Sequence, residues 1–374
     1  MSLAAASLRP AAATTSWHHL PMARRRTTLP KDFADLLRSS SFDELVAVFD
    51  RCAIDATGGY TKSTALGFLD CPDGLVRWLV DQGADVDAVD TYGATPLWTR
   101  AARGRHEQIP LLLSLGADRD HTCRGGVTPL HAAAENQRDS TVEALVRAGA
   151  DVHATTDRGD TPLKRGLAST TNASIAAMAD VARLLLEAGA VVDDSMRSLV
   201  ERIGERFEFH RAGFNADFLP ETDAGLQELY RLFGVSPAPQ RVVHDGFAPI
   251  EVPAGTWQAQ HAALWELLVP SKGAAQTAQG EAVRITGRVH DEVFRNGGAN
   301  WDRDYRRMLD VLVELCGSGT PLGARDLDEL RALTHQFDRG SAEDEVLDRL
   351  DELAVLWVAQ NPTPIPCPPV PYKR

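Results

Sequence analysis

At 374 residues the chain has room for two or three domains, and with 44% hydrophobic and 24% charged residues it holds no apolar run near the roughly 18 residues that a membrane helix requires, which excludes a transmembrane helix. The net charge is -13, and residues 1–30 carry Arg9, Arg24, Arg25 and Arg26 with no acid, which leaves -17 on the remainder. Nucleic-acid affinity rests on clustered Lys and Arg that displace counterions, so such a body argues against DNA or RNA and favours a basic partner.

Residues 1–30 are rich in Ala, Ser, Thr and Arg and lack the continuous apolar segment of a secretory signal. They read as a disordered tail, with Met22 before ARRR as an alternative start. Phe33, Leu36 and Leu37, then Phe42, Leu45, Val46 and Phe49, fall at helical spacings. Residues 31–63 are therefore expected to form a degenerate opening repeat, or cap.

Two rulers then run through the chain. Thr95-Pro96-Leu97, Thr128-Pro129-Leu130 and Thr161-Pro162-Leu163 recur at 33 residues, and Gly83-Ala84-Asp85, Gly116-Ala117-Asp118 and Gly149-Ala150-Asp151 keep the same step. Each unit reads as turn, short helix, tight loop, longer helix and glycine stop. Thr caps a helix N-terminus and Pro fits its first turn, where the missing N–H costs nothing; the glycines take the left-handed conformation that ends a helix. An imperfect unit with Thr64-Ala65-Leu66 precedes these. In the last one Gly189 arrives seven residues late, so Thr170–Ala176 is expected to lengthen the interhelical loop.

With period 33, TPLH and LLxxGAD in register, residues 64–193 resemble an ankyrin-repeat protein. The resemblance implies a helical solenoid of about five units that binds proteins through a concave face of first helices and through protruding turn fingers, with no chemistry of its own. It also implies that His131 hydrogen-bonds to backbone across neighbouring turns; Gly67, Trp98 and Lys164 stand at the matching positions. The partner-binding candidates are Tyr92, Trp98, Arg100, Arg103, His106, Arg124, Glu135, Arg158 and Arg165, because aromatics and arginines dominate binding hot spots.

The ruler stops after Asp193. Residues 195–236 read as capping or connecting helices, and the Pro- and Val-rich residues 237–255 as a linker. Residues 256–360 read as a bundle with helices near 256–268, 278–296, 302–316, 326–336 and 342–359. The helix 278–296 carries two apolar stripes and a polar one that pairs Glu281 with Arg284, and Asp291 with Arg288 and Arg295. Glu281, Arg284, Arg288, Asp291 and Asp302 make the alternative site, a polar groove for an enzyme or ligand-binding protein. Parts of this region are similar to a helical region that accompanies ankyrin repeats in some bacterial proteins, a resemblance that implies no activity. Residues 361–374, NPTPIPCPPVPYKR, read as an extended Pro-rich tail.

The loop Asn296–Arg307 fails as a calcium hand, with Trp301 at the glycine position and Arg307 at the glutamate. Neither a phosphate loop nor a nucleophile elbow occurs. Five scattered cysteines, Cys52, Cys71, Cys123, Cys316 and Cys367, form no C-x-x-C pair, so neither a zinc ribbon nor a disulfide framework is expected and a reducing cytoplasm is. The sequence thus predicts an all-α protein, an ankyrin solenoid (31–194) followed by a helical bundle, that acts as an interaction scaffold without cofactor, metal or catalytic residues.

Overall fold

The computed structural model describes residues 25–337 and 340–373. The tail and the alternative start at Met22 fall, up to residue 24, outside the described residues. The chain divides into two compact units, one holding residues up to 169 with 184–190, the other 170–183 with 191–374.

The first unit opens with β1 (Arg26–Thr28), which runs parallel to β2 (Cys52–Gly58), itself antiparallel to β3 (Ser63–Thr64). Residues 26–28 were expected within the tail. Their order comes from a distant partner: the Arg26 N–H donates to Arg51 O at 2.8 Å and the Leu29 N–H to Thr57 O at 2.9 Å, and the Leu29 side chain is buried. Between the strands lie α1 (Phe33–Ser39) and α2 (Phe42–Val48), where Ser41 and Glu44 form a capping box. Phe33 sets its ring edge-on to Phe49 and Phe68 at 6.3 and 5.3 Å, so the opening segment is a helix pair joined to a hairpin.

The repeats follow. The Thr64-Ala65-Leu66 unit has only a 3-10 turn, Ala65–Gly67, before α3 (Asp73–Asp81). The next are α4 (Pro96–Arg103) with α5 (Ile109–Ser114), α6 (Pro129–Glu135) with α7 (Asp139–Arg147), and α8 (Pro162–Ser169), which precedes α9 (Ile175–Glu187). A 3-10 turn at Asn172–Ser174 occupies the lengthened loop. Each TPL threonine accepts the N–H three residues on, from Trp98 at 3.2 Å, His131 at 3.3 Å and Lys164 at 3.3 Å. Gly83, Gly116, Gly149 and Gly189 have φ of +94°, +97°, +81° and +97°, the conformation expected of the stops.

The second unit continues with α10 (Asp194–His210), α11 (Leu219–Phe233), α12 (Trp257–Leu268), α13 (Ala278–Phe294), α14 (Arg303–Cys316), α15 (Ala324–Thr334) and α16 (Asp344–Gln360). Helix α13 is central, packed on α12, α14 and α16. Val283, Ile285 and Val289 join Met308, Leu312, Leu350, Leu353 and Trp357 in one core. The linker and the tail are both laid against these helices. Arg241 donates to the carbonyls of Trp265 in α12 and of Val269 just after it, at 2.9 and 2.7 Å, and the Ile250 N–H donates to Pro362 O at 2.7 Å. In the tail the Cys367 N–H donates to Gln276 O at 3.0 Å, and Gln279 Nε2 donates to Asn361 O and Thr363 O at 2.8 and 2.7 Å.

A glycine sets the approach of α11 to the start of α9, since a Cβ on Gly225 would lie 2.5 Å from Ala176 Cα. In an ordinary helix Gly→Ala stabilises by up to ~1 kcal/mol. Here the clash is with backbone, which cannot swing aside. Gly225→Ala is expected to destabilise the chain by about 1–3 kcal/mol in urea titrations followed by circular dichroism. Gly74→Ala, whose Cβ would meet only Phe42 at 3.6 Å, should be neutral or stabilising in the same assay.

Candidate functional site

The turn fingers of the first unit are built by short polar residues that bond their own backbone. Asp90 Oδ1 accepts the N–H groups of Tyr92 and Ala94 at 2.8 and 3.0 Å, and Thr156 Oγ1 those of Arg158 and Asp160 at 3.3 and 3.2 Å. Each finger then bonds the next: Thr91 N–H to Thr61 O at 3.0 Å, Arg124 N–H to Tyr92 O at 3.4 Å, and Asp157 N–H to Gly125 O at 2.9 Å. Tyr92, Arg124 and Arg158 therefore project from successive, mutually braced turns, and all three are exposed. The Arg124 guanidinium lies 5.8 Å from the Tyr92 ring centroid and donates to Thr91 O at 3.0 Å, which presents the two side chains as one patch.

His131 occupies the corner of this design. Its Nε2 lies 2.9 Å from Asp160 O, a carbonyl that can only accept, so the proton is on Nε2. Nδ1 then accepts from the Thr128 N–H at 3.3 Å and the Thr128 hydroxyl at 2.8 Å. Both nitrogens are committed and burial pushes the imidazole below its ordinary range, which leaves a neutral strut.

Trp98, expected to be a contact residue, does the same work one unit earlier. Its Nε1 donates to Val127 O at 3.1 Å, 29 residues ahead, the same offset as His131 to Asp160. Lys164, at the third such position, reaches Asp160 Oδ1 at 3.0 Å instead.

Arg100 is also corrected. It is fully buried and donates to Leu66 O at 2.7 Å, Pro96 O at 3.3 Å, Phe68 O at 3.1 Å and Gln108 Oε1 at 2.8 Å. The Leu66 carbonyl lies in the Ala65–Gly67 segment, which makes only one turn, and the guanidinium supplies it with a donor and adds one to Phe68 O. Glu135 and Arg165 answer each other across α6 and α8 in a bidentate pair at 2.8 and 3.0 Å. Arg103 and His106 are exposed beside Gly104. Of the nine predicted contacts, Tyr92, Arg103, His106, Arg124 and Arg158 thus remain on the surface.

In the second unit the five residues of the alternative site do not converge. Glu281 and Arg284 are buried and paired at 2.6 and 2.8 Å. Tyr372 from the tail donates its hydroxyl to Glu281, and the Ala275 N–H donates to it at 2.8 Å. Burial alone would raise the Glu281 carboxyl, but Arg284 above all, with these two donors, holds it below its ordinary value. Asp302 caps α14, accepting from Asp304 N–H at 2.8 Å and Tyr305 N–H at 3.3 Å. Only Arg288 and Asp291 reach a common cleft, of about 930 Å³, and Asp291 pairs there with Arg295 at 3.2 Å.

That cleft holds residues the sequence reading missed. Asp351, buried on α16, lies between His290 Nδ1 at 2.9 Å and His261 Nε2 at 3.2 Å. The available signal was one acid set among Leu347, Leu350, Leu353 and Ala354 on an otherwise apolar face. Among the described residues no group of three or more His, Cys, Asp or Glu is arranged to hold a metal ion.

Residues 68–156 match the family model of ankyrin repeats, in three copies. Their capped first helices, glycine-stopped second helices and braced fingers are that repeat, and the chain carries ankyrin repeats over these residues. No curated protein matches it. Among the described residues no helix is long and apolar enough to cross a membrane. Ankyrin repeats are in general protein-interaction modules.

Two consequences can be measured in the full-length chain. Trp98→Phe keeps an aromatic ring but removes one of the two donors of the Val127 carbonyl, leaving the Cys123 N–H at 3.0 Å, and should lower stability by about 0.5–1.5 kcal/mol in urea. His131 is held neutral, so the folded state binds fewer protons than the unfolded. Its contribution is complete above the ordinary histidine value of about 6.5 and is lost as pH falls below it. Amide protection across residues 128–165, corrected for intrinsic exchange, should therefore drop between about pH 7 and about pH 5, and drop less in His131→Gln.

Proposed function

We propose that this protein is a scaffold or adaptor that recognises a protein partner through the fingers and concave face of its repeats, in a reducing cytoplasm, by surface complementarity and without bond chemistry. The observation that carries the reading is the row Tyr92, Arg124 and Arg158. These are exposed hot-spot residue types, on fingers whose backbones are hydrogen-bonded one to the next. Such bracing lowers the entropy lost when a partner orders them. Arg103 and His106 are exposed as well, at the other end of α4.

The net charge of -13 favours a basic partner, since charge of that size steers diffusional encounter. Tyr92 and the arginines then anchor at short range. The cysteines among the described residues are free, with Cys52, Cys71 and Cys316 buried, which suits a reducing compartment.

Truncating a hot-spot side chain costs ~1–2 kcal/mol, so the triple variant Tyr92→Ala, Arg124→Ala, Arg158→Ala is expected to lose at least about 100-fold in affinity. Quantitative capture from native lysate with full-length baits checks it. The proposal needs one or more partners to be depleted on the variant while its thermal melt matches that of the wild type. Equal recovery of every partner on both baits would remove the repeats as the recognition surface.

A further inference from the structure

The cleft of the second unit has a floor that helix packing does not require. Asp351 Oδ2 accepts from His290 Nδ1 at 2.9 Å. Among the described residues no group donates a hydrogen bond to its Oδ1, which is buried. His261 Nε2 stands 3.2 Å from Oδ1 but is engaged with Thr286 Oγ1 at 2.9 Å. A carboxylate oxygen left in this condition costs free energy that a satisfied or apolar residue at the same position would not. The Asp351 residue as a whole is 5% exposed and lines the cleft.

The walls are aromatic and were built to be close. A Cβ on Gly287 would fall 2.4 Å from the Trp265 ring, so only glycine lets that ring lie against α13. The Trp265 ring stacks on Phe209 at 6.2 Å and 11°, and Phe209 in turn lies 4.0 Å from the Arg241 guanidinium carbon. One cation therefore already rests on this aromatic stack from within the chain. At the rim, Phe294 is 64% exposed beside His290, their ring centroids 5.9 Å apart.

Charge chooses the ligand. The lining carries the carboxylates of Glu266, Asp291, Glu292 and Asp351 against the guanidiniums of Arg288 and Arg295, and Arg295 is held by Asp291. Beyond the lining, Asp344 and Asp348 on α16 add their field at His290. We propose that this cleft binds an organic cation, an ammonium or guanidinium head on an apolar stem, with the head at Asp351 in place of His290 and the stem against Trp265 and Phe294. The inference stands apart from partner recognition by the repeats.

Binding of this kind is linked to a proton. The titratable and charged groups that line the cleft with His290 are Arg288, Asp291 and Glu292 on α13 with Arg295 at its end, His261 and Glu266 on α12, His210 on α10, Tyr305 on α14 and Asp351 on α16, while Asp344 and Asp348 of α16 act on it from beyond the lining. The hydrogen bond to Asp351 raises the His290 imidazole above its ordinary range, whereas burial lowers that of His261. When His290 is protonated it is itself the cation paired with Asp351, and a ligand must displace it. Affinity for an external cation therefore rises with pH through the His290 titration.

Calorimetry of the full-length protein with n-butylguanidinium and with a tri-arginine peptide tests this. Expected is binding about tenfold weaker at pH 6 than at pH 8, proton release at the lower pH, and loss of that pH dependence in His290→Gln. Asp351→Asn should abolish binding, and if it fails to fold, the exposed Asp348→Asn should still weaken it severalfold. A response to butylguanidinium assigns the site to free small organic cations, whereas a response to the peptide alone assigns it to a side chain of a protein. No binding of either probe, unchanged affinity in a folded Asp351→Asn, or binding of acetate in place of the cations would overturn the proposal.

Discussion

A turn that must expose a finger also leaves backbone carbonyls pointing into the stack, and the rest of the repeat region depends on donors that arrive from the preceding unit. Trp98 and His131 are chemically unlike, yet each places a ring N–H on a carbonyl 29 residues ahead. What the corner requires is one donor on a flat, rigid side chain, not an imidazole. Each of these carbonyls also accepts a turn N–H, from Cys123 and from Thr156, so losing the ring donor would cost on the order of 0.5–1.5 kcal/mol, at two joints of a stack whose units cannot bury their apolar faces alone.

The same need explains the least regular part of the stack. Where the Thr64-Ala65-Leu66 unit makes a single 3-10 turn, its carbonyls are met by Arg100 from the following helix. In the second unit Glu281 and Arg284 are likewise completed from afar, by Tyr372 of the tail. Removing one member of such a group is more costly than its net worth suggests, because the remaining charge stays buried. Arginine recurs in these places because its planar, five-donor fork serves several carbonyls at once.

Much of the architecture was legible because repetition makes local signals redundant. Three TPL threonines, each followed by proline and ended by a glycine stop, fix where helices start and stop without any knowledge of what they touch. The bundle helices were legible too, through apolar periodicity. The candidate contacts were read less well. Exposure was inferred for Trp98, Arg100 and Glu281 from residue type, and each instead meets a partner 29, 34 or 91 residues away. Strand β1 was invisible for the same reason, since Arg26–Thr28 carries no pattern and is ordered only by β2.

The sequence by itself determined the period, the caps, the glycine stops and hence the ankyrin stack, because those are contacts made within a few residues and written in local chemistry. It also determined the row of finger residues Tyr92, Arg124 and Arg158, which repetition alone places on successive turns. Only the tertiary structure decided which polar side chains are buried. It alone brought Asp351 between His261 and His290, three residues on three helices whose separations in the chain carry no signal. Hydrogen-bond partners of long side chains are chosen by packing over distances of ångströms, and the order of residues along the chain does not record those distances.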